Sequence, residues 1–387
     1  MNITKEERVL RTISRKEVDY LPSQIVFADK SRYAAISKDL GLSSKKELDD
    51  YLENHFFITF TKQDKPMVYK DIQDEIEKMK IDGYANPDWK NNVVYDDWGI
   101  GYKAGIGSFF VSFHPLQGKT TNEILNFMPE RIKEATTEKN INIAIKKYTC
   151  PDAYQKGNFD DWKKDLKNYS GDFMVWPSGD GGIYERSYHI LGWNELMTYI
   201  ASEPSIVEEV FDKVLDYKIK IAKKTVDIGF KMGHAGDDLG TQNGGFFSDK
   251  MFKALILPRL KKLFEVFKNA HIPIMMHSCG NISQYIPDLI DIGLDILEPC
   301  QPCMDLSFLK KEYGNDLIFY GGINTQVLPY LNEEQTMEMV RETIRTLGKG
   351  GGYIIAPAQE IMNDVPISNI KALIKTIKEE RGKVLNL

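Results

Sequence analysis

His277, Ser278 and Cys279 stand at the end of an apolar run, IPIMMHS (272–278), and Gly280 follows at once. If that run is a strand, residues two apart project to the same side, so the His277 imidazole and the Cys279 thiol share a face. Imidazole nitrogen and thiolate sulfur are both preferred zinc ligands. Glu298 closes the next apolar run, LDILE (294–298), directly before Pro299. Neighbouring strands lie about 4.8 Å apart, so residues at equal height can share one metal. His277, Cys279 and Glu298 are the expected metal ligands. The plainer alternative for the carboxylate is a substrate contact or a structural ion pair. Cys300 is a rival ligand, whereas Cys303 lies further into the loop and is not expected to ligate. Three protein ligands leave one position open, as in catalytic zinc, where the metal acts as a Lewis acid on oxygen, nitrogen or sulfur.

The segment GDDLGTQNGG (236–245) adds two acids after another apolar run, FKMGHAG (230–236). Asp237 and Asp238 are the candidate catalytic residues, able to hold a cation, orient a hydroxyl or transfer a proton. The alternative is that one caps a helix and the other is solvated. Trp98, Tyr184, Gln242, Asn324 and Gln359 are the candidate substrate-binding residues. Trp98 belongs to VVYDDWGIGYKAGIGSFFVSFHPL (93–116), whose aromatic, glycine-interrupted pattern reads as a hairpin or lid. Tyr95, Trp98, Phe109 and Phe110 are the residues expected over the mouth. His234 reads as a core or pocket histidine, and His114 as an exposed residue or a substrate contact.

The elements that must position these groups are legible in outline. Thr4 and Glu7 form a T-x-x-E start for a helix over 4–14. LPSQIVF (21–27) reads as a first buried strand, followed by a polar, mostly helical insertion over 28–90 and a polar surface connection over 147–171. From 172 onward, apolar runs alternate with amphipathic helices: FMVWPS (173–178), FKMGHAG, IPIMMHS, LDILE, LIFYGG (317–322) and YIIAP (353–357). Helices are expected over 249–269, capped by Ser248, and over 333–347, capped by Asn332 and stopped by Gly348. Such alternation implies a parallel sheet. The number of units and the lack of a G-x-G-x-x-G turn favour an α/β protein of the (β/α)8 TIM-barrel type. It would be a single domain over 1–387, with an N-terminal insertion over about 28–170. Barrel chemistry sits where strands end. Asp237, Asp238, His277, Cys279, Glu298, Asn324, Gln359 and Glu360 should therefore converge on one mouth.

Composition narrows the class further. The net charge is −6 with both signs mixed, and no basic block suggests nucleic acid or a membrane surface. The opening MNITKEERVL lacks the pattern of a signal peptide, and no apolar run approaches the roughly 18 residues that span a bilayer. A cytoplasmic location is expected, with Cys150, Cys279, Cys300 and Cys303 kept as thiols.

Three stretches together resemble the uroporphyrinogen decarboxylase superfamily: GDDLGTQNGGFFS (236–248), HSCGNISQYIPDLIDIGLDILEPCQP (277–302) and LIFYGGINTQ…GGGYIIAPAQEIMNDVP (317–366). The opening ERVLRTISRKEVDYLP is also similar to that family's start. The resemblance implies one (β/α)8 barrel with an extended, partly helical N-terminal part. Its decarboxylases carry arginines and an aspartate after the first strand, a pattern that IVFADKSRYAA does not match, so decarboxylation is not expected. The methyltransferase branch carries an H-x-C zinc pair, matched by His277 and Cys279. The zinc barrel of cobalamin-independent methionine synthase is similar as well, with a glutamate ligand where Glu298 stands. That relative has a further cysteine ligand after the last strand. Here the corresponding residues are Ala358, Gln359 and Glu360, which leaves Gln359, water or substrate as the last ligand.

The resemblance thus implies a zinc-dependent methyltransferase of the O-demethylase type. It would take a methyl group from a small donor, a methoxylated aromatic first, to the Co(I) corrinoid (cobalamin) of a partner corrinoid protein. A homodimer is compatible with this reading. The alternatives are methyl transfer from a corrinoid to a thiol or folate, and a non-catalytic corrinoid- or porphyrin-binding barrel.

Overall fold

Most of the strands follow the apolar runs. A computed structural model describes residues 3–28, 30–43, 45–63, 72–104, 109–178 and 181–386. Its strands are β1 (Phe56–Phe60), β2 (Ala85–Asp88), β3 (Val93–Asp96), β4 (Gly101–Ala104), β5 (Phe109–Phe113), β6 (Met174–Ser178), β7 (Gly233–Gly236), β8 (Ile274–His277), β9 (Ile296–Cys300), β10 (Ile318–Ile323) and β11 (Tyr353–Pro357). Strands β7 to β11 form a five-stranded parallel sheet in chain order, β1 and β6 a parallel pair, and β2 to β5 an antiparallel meander.

Residues 21–27 are not a continuous strand, but their backbone does a strand's work at two points. Gln24 N–H donates to Ile355 O, and Ile355 N–H to Pro22 O. On the other side His55 N–H donates to Ser23 O, and Met174 N–H to His55 O. The segment therefore stitches β11 to the β1–β6 pair. No ladder joins β6 to β7 among the described residues. The architecture is a mixed α/β fold built on parallel sheets.

Side-chain parity explains both the core and the site. Successive strand residues face opposite sides. Met275, Ile296, Ile318, Tyr320, Ile354 and Ala356 meet in an inner core, joined by Phe56 and Met174 from the β1–β6 pair. Their neighbours Ile274, Met276, Leu297, Phe319 and Ile355 belong to the outer core beneath the helices. Counting on by two from Met275 and Ile296 brings His277 and Glu298 to the inner side at the strand ends.

The helices Lys5–Ile13 and Glu333–Gly348 form as their caps require. Thr4 Oγ1 accepts the Glu7 N–H at 3.2 Å, and Asn332 and Gln335 exchange side-chain and backbone hydrogen bonds at 2.8 and 3.0 Å. The stretch 249–269 starts at Ser248, but a π turn over Phe252–Ile256 precedes the α-helix Leu257–Asn269. Pro258, which has no N–H to donate, follows that turn.

Three expectations change. FFITF, inside the stretch read as polar and helical, is β1; a run of five residues, four of them apolar, between polar helices is too short to announce a strand by period. Asp160–Tyr169 is a helix within the expected surface connection. The aromatic stretch 93–116 belongs to the larger meander β2–β5, and its residues 105–108 lie outside the described residues, as does the Phe109 side chain. No helix of the described residues is long and apolar enough to cross a membrane. None of the four cysteines forms a disulfide.

Candidate metal centre

β8 and β9 pair in parallel with His277 directly opposite Glu298, and β7 places Gly236 opposite His277. This register brings the two strand-end groups to equal height, as their positions in the sequence suggested. The Glu298 carboxylate lies 2.7 Å from His277 Nδ1. The other ring nitrogen, Nε2, lies 3.4 Å from Cys279 Sγ and 3.4 Å from Asp238 Oδ1. Asp238, His277 and Cys279 each offer a ligand atom, and the three atoms lie within 4.8 Å of one another.

These spacings fit a zinc ion. Bonds of about 2.0–2.1 Å to nitrogen or oxygen and 2.3 Å to sulfur, at tetrahedral angles, put the ligand atoms roughly 3.4–3.6 Å apart. The ligand set this geometry favours is Asp238, His277 and Cys279. Glu298, expected as a ligand, instead accepts the His277 Nδ1–H and turns Nε2 toward the other two groups. Such partners raise ligand basicity and fix the ring's orientation. Glu298→Gln should accordingly weaken zinc binding by about 10–100-fold, read by competition with a chelator. A loss as complete as that caused by removing Cys279 would make Glu298 a ligand after all.

The loops that carry these groups are locked together. Asp238 Oδ1 accepts the Cys279 N–H at 2.8 Å, Ser278 Oγ accepts the Leu239 N–H at 3.1 Å, and Thr241 O accepts the Asn281 N–H at 2.7 Å. Gly280 has φ +84°, and a Cβ there would lie 2.2 Å from the Gly240 carbonyl carbon. The loops after β7 and β8 thus cross at backbone contact, a crossing that needs glycine.

The charges also favour a cation. Desolvation opposes protonation of His277, yet Glu298, Asp238 and Cys279 outweigh it and hold the imidazole well above its ordinary pKa. Burial pushes the Cys279 thiol up, with His277 pulling the other way. Desolvation likewise works against the Asp238 carboxylate, but its bond to His277 leaves it below the ordinary range. Metal-free, the cluster stores a proton on His277; a divalent cation can take that proton's place.

The cluster opens into a cavity of about 430 Å³. Trp176, Tyr320, Phe60 and Ile58 supply apolar wall, while Glu185, Gln359 and Glu360 add polar groups. Gln359 Nε2 donates to Cys279 Sγ at 2.7 Å. Desolvation raises the Glu360 carboxyl above its ordinary value, against the pull of His277. His234 lines the cavity, its ring against Trp176 at 5.2 Å, and burial pushes its pKa down to about 3. Glu185, Trp176 and Tyr320 were missed from the sequence. The last two share inward parity with the inner core, and that parity is the signal that could have found them.

Other expected site residues lie elsewhere. Asp237 is fully buried and turned from the cavity: its carboxylate accepts the N–H groups of Tyr184 and Glu185 at 2.9 and 3.0 Å, at the start of the helix Ile183–Leu191. Burial, reinforced by Glu185, pushes its pKa up to about 8. Of the two acids, Asp237 is the helix cap and Asp238 the site residue. Tyr184 is buried, its hydroxyl accepting the Trp193 indole N–H at 2.9 Å. Trp98 has no exposed surface; it packs on Tyr217 at 4.7 Å and under the Arg186 guanidinium at 4.8 Å. Tyr95 is likewise core, while Phe110 is exposed. Trp98 and Tyr95 are packed inside, and none of these rings lines the cavity. Gln242 is exposed outside it, and Asn324 caps its own turn by accepting the Gln326 N–H at 3.0 Å. His114 Nδ1 lies 2.9 Å from His189 O, also outside the cavity. Cys300 faces the outer core, where burial raises its thiol, and Cys303 lies beside Gln301, 4.0 Å from its Oε1.

Comparison with known proteins bears on the fold and the family. A methyltransferase from Methanosarcina mazei superposes over 98% of this chain and 99% of its own, with TM-score 0.58 and 15% identity, which shows a shared fold. A B12-independent methionine synthase from Shewanella sp. W3-18-1, in complex with selenomethionine, aligns over 47% of this chain and 57% of its own, with TM-score 0.34 and 12% identity. That superposition is too loose to bear on this chain. A curated relative, a uroporphyrinogen decarboxylase of Chloroherpeton thalassium (strain ATCC 35110 / GB-78), is 27% identical over 141 residues, or 35% of this chain. The chain spans 39% of that relative's length. The family model for uroporphyrinogen decarboxylase (URO-D) matches residues 187–380, from within the helix Ile183–Leu191 to the end of the helix Ile367–Glu380, and every group of the Asp238–His277–Cys279 cluster falls within it. With half of its length matched, the chain belongs to the uroporphyrinogen decarboxylase (URO-D) family.

Proposed function

We propose that this protein is a zinc-dependent methyltransferase. It moves a methyl group from a methoxylated aromatic to the Co(I) corrinoid of a separate protein in the cytoplasm. The observation that carries the reading is the Asp238–His277–Cys279 cluster, set at strand ends and opening into a cavity with an aromatic wall. A (β/α)8 barrel, closed where the ladder between β6 and β7 is absent, is part of this proposal. The methyltransferase from Methanosarcina mazei, which shares the fold, supports the same class of reaction.

An aryl ether is a poor methyl donor because its oxygen leaves as a strong base, so the leaving atom needs an electrophile or a proton in the transition state. Asp238, His277 and Cys279 would hold the zinc, which when bound would supply Lewis acidity to that oxygen. The chain's own groups do the rest. Glu298 keeps the imidazole aligned, and Trp176, Tyr320 and Phe60 offer an apolar wall to the ring. Gln359 donates an N–H to the Cys279 sulfur. Glu360, a cavity-lining carboxyl held above its ordinary pKa, would hold a proton for the departing oxygen. Asp237 has no such role, since both its oxygens are bound to the helix start.

The test is a cobalamin-absorbance assay over methoxyaromatics, methylamines and methyl thioethers, with reduced corrinoid protein. Methoxyaromatics should react only when donor, corrinoid protein and zinc are all present, and uroporphyrinogen should be returned unchanged. If every donor fails while methyl-corrinoid and a thiol or folate react, transfer runs the other way.

A further inference from the structure

A second cavity, of about 500 Å³, lies at the opposite end of the strands. Arg15, Lys310, Lys311, Arg345 and Lys349 line it, and no carboxylate does. Leu317 and Gly351, which anchor two of these cations, directly precede β10 and Gly352–β11, whereas the metal centre sits where the strands end. The six residues of β10 separate the two places by roughly 20 Å.

Two of the cations are held in place, and Lys311, Arg345 and Lys349 are exposed. Arg15 Nη2 donates to Leu317 O at 2.9 Å, and Lys310 Nζ donates to Gly351 O at 2.7 Å. Arg345 has only a long contact with Glu338, 3.9 Å, and Lys311 and Lys349 pair with no carboxylate among the described residues. Gly350, on the cavity wall, has nothing within 4 Å of where a Cβ would be, so no side chain closes that side. Burial and the nearby Arg15 charge depress the Lys310 pKa to about 8, the mark of an ammonium short of counter-charge.

The plainer explanation is that these residues complement helix C-termini, since Leu306–Tyr313 and Glu333–Gly348 both end here. Each helix end carries about half a negative charge, so two supply about one. Five cations exceed that by a wide margin, in a chain whose net charge is −6. The excess calls for a ligand with several negative charges. Arginine forks match phosphate oxygens, and cavities of roughly 300–1,000 Å³ hold small molecules rather than the flank of a protein.

We infer that this cavity binds an oligophosphate, a small molecule with two or more linked phosphate groups. The test is calorimetric titration of the full-length protein with inorganic triphosphate, with ATP, and with sulfate at matched ionic strength. Triphosphate and ATP should each bind once per chain, and sulfate should not bind measurably. Lys311→Glu combined with Lys349→Glu should weaken triphosphate by about tenfold or more at an unchanged melting temperature. Arg345→Gln, a milder change, should weaken it in the same direction if the double variant does not fold. The Cys279→Ala protein, with no metal for triphosphate to strip, should bind with wild-type affinity. Equal binding of sulfate, binding of ATP alone, unchanged affinity in the lysine and arginine variants, or loss of binding in Cys279→Ala would each overturn the inference.

Discussion

Freshly purified protein is expected to carry about one zinc per chain, and Cys279→Ala less than about a tenth of that with the fold intact. Cys279 Sγ and His277 Nε2 stand 3.4 Å apart, a ligand–ligand spacing, and among the described residues the thiol is one of three grouped donors. Losing it leaves an imidazole and a carboxylate, too few to compete with a chelator. The side chain projects from a loop into the cavity rather than into the apolar core, so its removal opens no core void. The neighbouring acids separate ligation from architecture. Asp238→Asn should lose metal like Cys279→Ala. Asp237→Asn should keep it, because Asp237 holds the helix start and not the site. Elemental analysis beside thermal melting reads both. No zinc in the wild-type protein, or full zinc in Cys279→Ala, would dismiss the site; loss of zinc only in Asp237→Asn would reverse the roles of the two acids.

Gly280→Ala should lower stability by about 2–5 kcal/mol, a fall in Tm of roughly 3–6 °C for a chain of this length. Two causes combine. At φ +84° an L-residue is strained by about 1–2 kcal/mol, and the new methyl would lie 2.2 Å from the Gly240 carbonyl carbon, which is backbone and cannot rotate away. Relief requires the loops after β7 and β8 to part, and those loops carry Asp238 and Cys279. Zinc affinity should therefore fall together with stability, although no ligand has changed. Gly118→Ala, at φ +75° with nothing within 4 Å, isolates the backbone strain and should cost only its share. Equal melting temperatures for Gly280→Ala and wild type would show that the loops can separate without cost.

The sequence by itself determined the strand ends and two of the three residues of the candidate metal cluster. Period-two patterning put His277 on the inner side with Glu298 beside it on the next strand, and the observed register pairs them directly. It also carried the caps at Thr4, Ser248 and Asn332, because capping is decided within four residues of chain. Tertiary structure decided what spacing cannot express. Which of two adjacent acids faces the site depends on where the helix Ile183–Leu191 begins, some fifty residues earlier, since its free N–H groups claim Asp237 and leave Asp238 to His277 and Cys279. The Glu298 carboxylate reaches Nδ1 of the His277 ring while Nε2 faces Cys279 and Asp238, an arrangement set by the ring's rotation, which spacing along the chain does not express. Trp98 and Tyr95 looked like a lid because aromatic composition is the same in a lid and in a core. Packing against Tyr217, Arg186 and Phe113 made them core, a choice set by contacts between segments far apart in the chain.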